Sequence, residues 1–110
     1  MASDPAEIFA RVMALVEAGH KCDALDVVYN EVDEMLLKGD FGQAIAVLCA
    51  SCNPEIRDRL PPSVHLSLLC ITRPFGRGPL FEAREQVAHM LIDRGLSKRA
   101  DARVADTIPA

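Results

Sequence analysis

Apolar residues return every third or fourth position through most of the chain, the spacing that lines one face of an α-helix. Ile8, Phe9, Val12, Leu15 and Val16 form the first such stripe. Asp4-Pro5-Ala6-Glu7 precedes it and predicts a helix start, with Asp4 as cap, Pro5 in the first turn and Glu7 reaching back as in a capping box. Gly19 predicts the end, because glycine accepts the left-handed backbone that follows a helix C-terminus. A second stripe, Leu25, Val28, Val32, Met35 and Leu36, predicts a helix from about Cys22 to Leu37. Asp23, Asp26, Glu31, Asp33 and Glu34 give that helix a strongly acidic outer side. Lys38 complements its dipole and Gly39 stops it.

A third helix is predicted from the cap Asp40 onward, with Phe41, Ala44, Ile45, Leu48 and Cys52 on one face and Cys49 toward its edge. Asn53-Pro54-Glu55 closes it and opens a short helix, which Pro61-Pro62 ends. The run SVHLSLLCIT, 63–72, is apolar nearly all round and is expected to be the most buried element. Short apolar runs read as strand or helix by period alone. Helix is preferred here, since Pro61-Pro62-Ser63 is a plausible start and no second strand is available for pairing. Arg73 to Pro79, with two prolines and two glycines, predicts a loop. The last stripe, Leu80, Ala83, Val87, Met90 and Leu91, predicts a helix from about Leu80 to Arg94 that Gly95 ends. Periodicity then weakens. The pattern predicts an all-α fold of five or six helices packed as successive antiparallel helical hairpins. It forms one domain over 1–95, followed by a weakly structured tail over 96–110.

Composition supports this. Half of the 110 residues are hydrophobic, yet there are one Tyr, four Phe and no Trp, so the core is Leu, Val, Ile, Ala and Met. That mix suits helices better than sheets. The start carries no basic segment of the secretory kind, and no apolar run reaches the roughly 18 residues that span a bilayer. A cytoplasmic location without a membrane partner is expected, with Cys22, Cys49, Cys52 and Cys70 as free thiols. Charge is asymmetric. Residues 1–56 hold ten acidic and three basic side chains, and residues 57–110 hold six and nine.

The segment from Gly19 to Val28 repeats from Gly39 to Leu48: Gly, four residues, Ala, an aliphatic residue, any residue, Val, an aliphatic residue. Glycine turns the chain, and the small alanine lets the preceding helix approach closely. The twenty-residue step equals one helix plus one turn. On Met35, Gly39, Asp40, Phe41, Ala44, Leu48 and Pro54 the chain resembles the tetratricopeptide-type helical hairpin over about residues 25–54. It carries Val28, Glu31 and Val32 where that family has a large aromatic and a Leu-Gly pair. The resemblance implies stacked helical hairpins. Residues after 25 are also similar to small uncharacterised helical proteins of bacteria and their phages, which implies an origin and no activity.

Candidate chemistry is sparse. Cys49-x-x-Cys52, with His20 and Cys22, is the pattern nearest to a zinc site, but zinc modules usually repeat the pair and set it in a knuckle. Cys52 and Cys70 are expected to behave as small core hydrophobes. His20 is expected in a turn, His65 as a satisfied, partly buried histidine, and His89 facing water. No nucleophile elbow, P-loop or dinucleotide fingerprint occurs, so neither catalysis nor a cofactor is expected, and no metal. Arg57, Arg59, Arg73, Arg77, Arg84, Arg94, Lys98, Arg99 and Arg103 could contact nucleic-acid phosphates. However, they are interleaved with acids, the pI is about 5.3, and aromatics for stacking are scarce. The favoured expectation is non-catalytic protein binding by an adaptor, accessory subunit or small regulator, with self-association as one form of it. Arg73, Phe75 and Arg77 of the loop, with Asp26, Asp33 and Glu34 of the second helix, are the expected contacts, since arginine and aromatics are enriched in interface hot spots. The alternative for the loop is a connector with Phe75 tucked onto the core.

Overall fold

Two glycines set the path of the first three helices. The computed structural model of the chain describes residues 4–94, so the expectations for Gly95, for the tail and for its basic residues lie outside the described residues. Helix α1 spans Pro5–Glu17, α2 spans Lys21–Leu37 and α3 spans Phe41–Ser51. Gly19 between α1 and α2 has φ +84°, and Gly39 between α2 and α3 has φ +76°. The same two bonds close both helices. The His20 N–H donates to the Leu15 carbonyl at 2.8 Å and the Gly19 N–H to that of Val16 at 3.1 Å. Twenty residues on, the Asp40 N–H donates to Met35 at 2.8 Å and the Gly39 N–H to Leu36 at 3.1 Å. This is the Schellman pairing, which satisfies carbonyls that a helix end leaves free.

Capping differs between the starts. The Asp40 carboxylate accepts from the Gln43 N–H at 3.4 Å, and the Asn53 side chain accepts from the Glu55 N–H at 3.0 Å. Asp4 makes no side-chain cap bond, so the expected capping box does not close. Pro5 lacks one of the free donors, and the exposed first turn leaves water to serve the others.

Helix α4 is a single turn, Pro54–Arg57. Helix α5 spans Pro62–Thr72, a 3-10 turn covers Arg73–Phe75, and α6 spans Pro79–Asp93. The fold is all-α. Helix α1 packs on α2 and α3, α5 packs on α2 and α6, and α6 packs on α3. The last two long helices thus return across α2 and α3. Phe9, Val28, Val32, Leu48, Leu68, Val87 and Leu91 belong to one continuous core. All five predicted stripe residues of α6 are buried. No helix among the described residues is long and apolar enough to cross a membrane.

Two elements depart from their predicted faces. In α3 the buried residues are Ala44, Val47, Leu48 and Ser51, while Phe41 is exposed and Ile45 and Cys52 are half-buried. Four helices contact α3, so neighbours widen and turn its buried arc beyond what periodicity indicates. Helix α5 buries Val64, His65, Leu68, Ile71 and Thr72, but Leu66 and Cys70 face outward. It packs mainly on α2 and α6, which leaves one side of an apolar run uncovered. Cys70 is therefore a surface thiol and not a core residue.

Candidate protein-binding surface

The loop after α5 is fastened from below. The Thr72 hydroxyl donates to the Leu68 carbonyl at 2.7 Å. From α6, the Arg84 Nε donates to Thr72 Oγ1 at 3.0 Å and its Nη2 donates to the Leu69 carbonyl at 2.9 Å. A cation at the C-terminus of α5 also opposes the negative end of the helix dipole. The loop then runs over this guanidinium: a Cβ on Gly76 would lie 3.1 Å from Arg84 Nη1. Arg84, counted from sequence among phosphate-contacting side chains, instead holds the loop in place.

Above this base Pro74 and Phe75 form a ridge. Phe75 is 36% exposed, so it does not tuck into the core. It packs on Phe41, with ring centroids 5.9 Å apart and a 45° tilt. Two grooves flank the ridge. One, of about 490 Å³, is lined by Phe41, Ile45, Arg77, Pro79 and Leu80 together with the ridge. The other, of about 550 Å³, is lined by Tyr29, Asp33, Ser67, Cys70 and Ile71 together with the ridge.

The expected contact residues divide accordingly. Phe75 lies between the grooves, Arg77 belongs to the first and Asp33 to the second. Arg73 is exposed at the end of α5. Asp26 stands on α2 seven residues before Asp33, on the same helix face and exposed. Glu34 lines neither groove; its carboxylate pairs with Lys38 Nζ at 2.6 Å, and this bond holds it below its usual range. Tyr29, Phe41 and Ile45 were not expected at the surface site. Their partial exposure arises from helix packing; the one available signal is the scarcity of aromatics, which marks Tyr29 and Phe41.

The other candidate chemistry sits elsewhere. Cys49 is exposed, with Sγ 3.7 Å from Gln86 Oε1 as donor. Cys52 is half-buried, and burial pushes its thiol up. Among the described residues no group of three or more His, Cys, Asp or Glu side chains is placed to hold a metal ion. A third groove, of about 810 Å³ and lined by polar and apolar side chains alike, runs along α6 past Cys52, Glu85, His89 and Arg94.

His65 is fully buried rather than partly. Its Nε2 lies 2.9 Å from the Ser51 carbonyl and donates to it at the end of α3. Nδ1 is buried without a partner, so the ring is half satisfied. Burial holds its pKa low.

Several arginines are engaged within the chain. Arg59 pairs with Glu17, Arg11 with Glu31 at 2.6 Å, and Arg57 with Asp58 at 3.4 Å. Arg94 donates to the Arg57 carbonyl at 3.1 Å. Comparison with known protein families, curated proteins and solved structures returns no match for this chain.

Proposed function

We propose that this chain is a non-catalytic protein-binding module, an adaptor, accessory subunit or small regulator, whose partner docks on the Pro74–Phe75 ridge and its two grooves. One observation carries the reading: Tyr29, Phe41 and Phe75, from three separate elements, converge partly exposed around one loop, and Arg84 bonds the end of α5 from which that loop leaves. Clustered aromatics beside arginine are the usual anchors of protein interfaces, and a loop held in advance loses little entropy on binding. The resemblance to tetratricopeptide-type hairpins agrees with such a role. Four free thiols agree with a reducing, cytoplasmic setting. Engagement of Arg57, Arg59, Arg84 and Arg94 within the chain favours protein over nucleic acid as the ligand, since fewer cations remain for phosphates.

Affinity capture from extract of the source cells tests this. The wild-type chain is expected to retain a partner that the Phe41→Ala, Phe75→Ala double variant loses while keeping its helical circular dichroism. Capture that persists unchanged in the folded double variant refutes the reading.

A further inference from the structure

We infer that the groove between the start of α3 and the start of α6 receives a short acidic, apolar peptide segment: one large apolar side chain in the groove, with a carboxylate within one helical turn of it facing Arg77. This rests on the protein-binding reading above and names the chemistry of the partner.

Phe41, Ile45, Phe75 and Leu80 supply a wall of aromatic and aliphatic surface, and Arg77 is the groove's charged residue. At about 490 Å³ it lies within the range of pockets that enclose a small group. Arg77 is exposed, and among the described residues no ion pair holds its guanidinium. An apolar side chain entering the groove displaces water around that guanidinium, and a carboxylate beside it then forms a charge-assisted bond in a drier setting. Arg73, exposed two residues before the crest of the ridge, adds positive potential to the loop.

The neighbouring groove fixes the direction. Asp33 lines it, and Asp26 stands on the same face of α2. A carboxylate there meets like charge, so the acidic part of the segment lies on the Arg77 side of the ridge and its neutral or basic part on the α2 side.

Selection of a displayed random dodecapeptide library on the full chain tests this, followed by fluorescence anisotropy of the selected peptides. The expected consensus places Leu, Ile, Phe or Trp within one helical turn of Asp or Glu. Binding should weaken about tenfold or more on Arg77→Glu, the scale of one charge-assisted bond made repulsive. A peptide with its acid changed to lysine should recover on Arg77→Glu. A basic or uncharged consensus, unchanged binding to Arg77→Glu, or no enrichment over the Phe41→Ala protein overturns the inference. So does a concentration-dependent dimer in light scattering that Phe75→Ala abolishes, because the occupant is then a second copy. If capture from extract depends on Phe75 while the selected consensus is not acidic, only the inference fails. Capture indifferent to Phe75 removes the reading beneath it.

Discussion

His65 is a basic side chain placed where a proton is costly. Burial lowers its pKa first, and the charge of Arg94 acts in the same direction, while its bond to Ser51 opposes them. The folded value therefore lies below the ordinary 6.5. As pH falls, the unfolded chain takes up the proton before the folded one does. The stability this histidine contributes is full above about 6.5 and declines as pH drops below it toward the folded pKa. His65→Gln keeps a donor for the Ser51 carbonyl and removes the titration. Between about pH 7 and about pH 5 the urea midpoint of the wild type should fall more steeply than that of His65→Gln; parallel profiles contradict this account. The cysteines make a second residue-scale case. Cys22, Cys49 and Cys70 are exposed, whereas Cys52 is half-buried with its thiol pushed up by burial. Iodoacetamide acts on accessible thiolates. Peptide mass mapping of the native protein should show Cys52 alkylated at least several-fold more slowly than the other three, and equal rates would place Cys52 at the surface.

At the scale of elements, the turns are the best determined features. A Cβ added at Gly39 would meet nothing within 4 Å, so the penalty of Gly39→Ala is purely that of left-handed backbone, about 1–2 kcal/mol. Chemical denaturation should show that loss, with Gly39→Asn losing less because asparagine tolerates this region. A Gly39→Ala protein as stable as the wild type would mean that the Schellman turn does not form. These turns were legible because glycine, the following cap and the apolar stripe are local signals. Helix α6 was legible for the same reason: one helix face meets the core, and its five apolar residues mark it. Helices α3 and α5 were less so. Their burial depends on how many neighbours each has, which separates Val47 from Phe41 and Leu68 from Cys70 although all are apolar. The site divides in the same way. Prolines, glycines and arginines announce the loop at 73–79, but nothing in the local sequence places Tyr29 and Asp33 on one side of Phe75 and Phe41 and Ile45 on the other. Those positions follow from α5 crossing α2 and α6 crossing α3.

These crossings also decide how the whole molecule holds together. In a linear array of hairpins each unit rests on its sequence neighbours, and stability is close to a sum over units. Here α2 packs as much on α5 as on its sequence neighbour α1, and α3 packs more on α6 than on any other single helix. The pair Arg59–Glu17 and the bond from Arg94 to the Arg57 carbonyl join distant parts of the chain in the same sense. A fragment ending after α4 keeps both glycine turns, yet it lacks α5 and α6, whose Val64, Leu68, Val87 and Leu91 are buried in the same core as Val28, Val32, Val47 and Leu48. Each such side chain contributes about 1.5–3 kcal/mol when fully buried, and a small domain has only about 5–15 kcal/mol of net stability. The fragment should therefore show reduced helicity and no cooperative thermal transition by circular dichroism, whereas the full chain melts in one step. A cooperative transition with full helicity in the fragment would show that the first hairpins stand alone, as in an array. Because the two grooves form only where these distant helices meet, the same logic ties binding to folding. A peptide that occupies the Arg77 groove must favour the folded chain by mass action, and its addition should raise the melting temperature of the full chain while leaving the fragment unchanged.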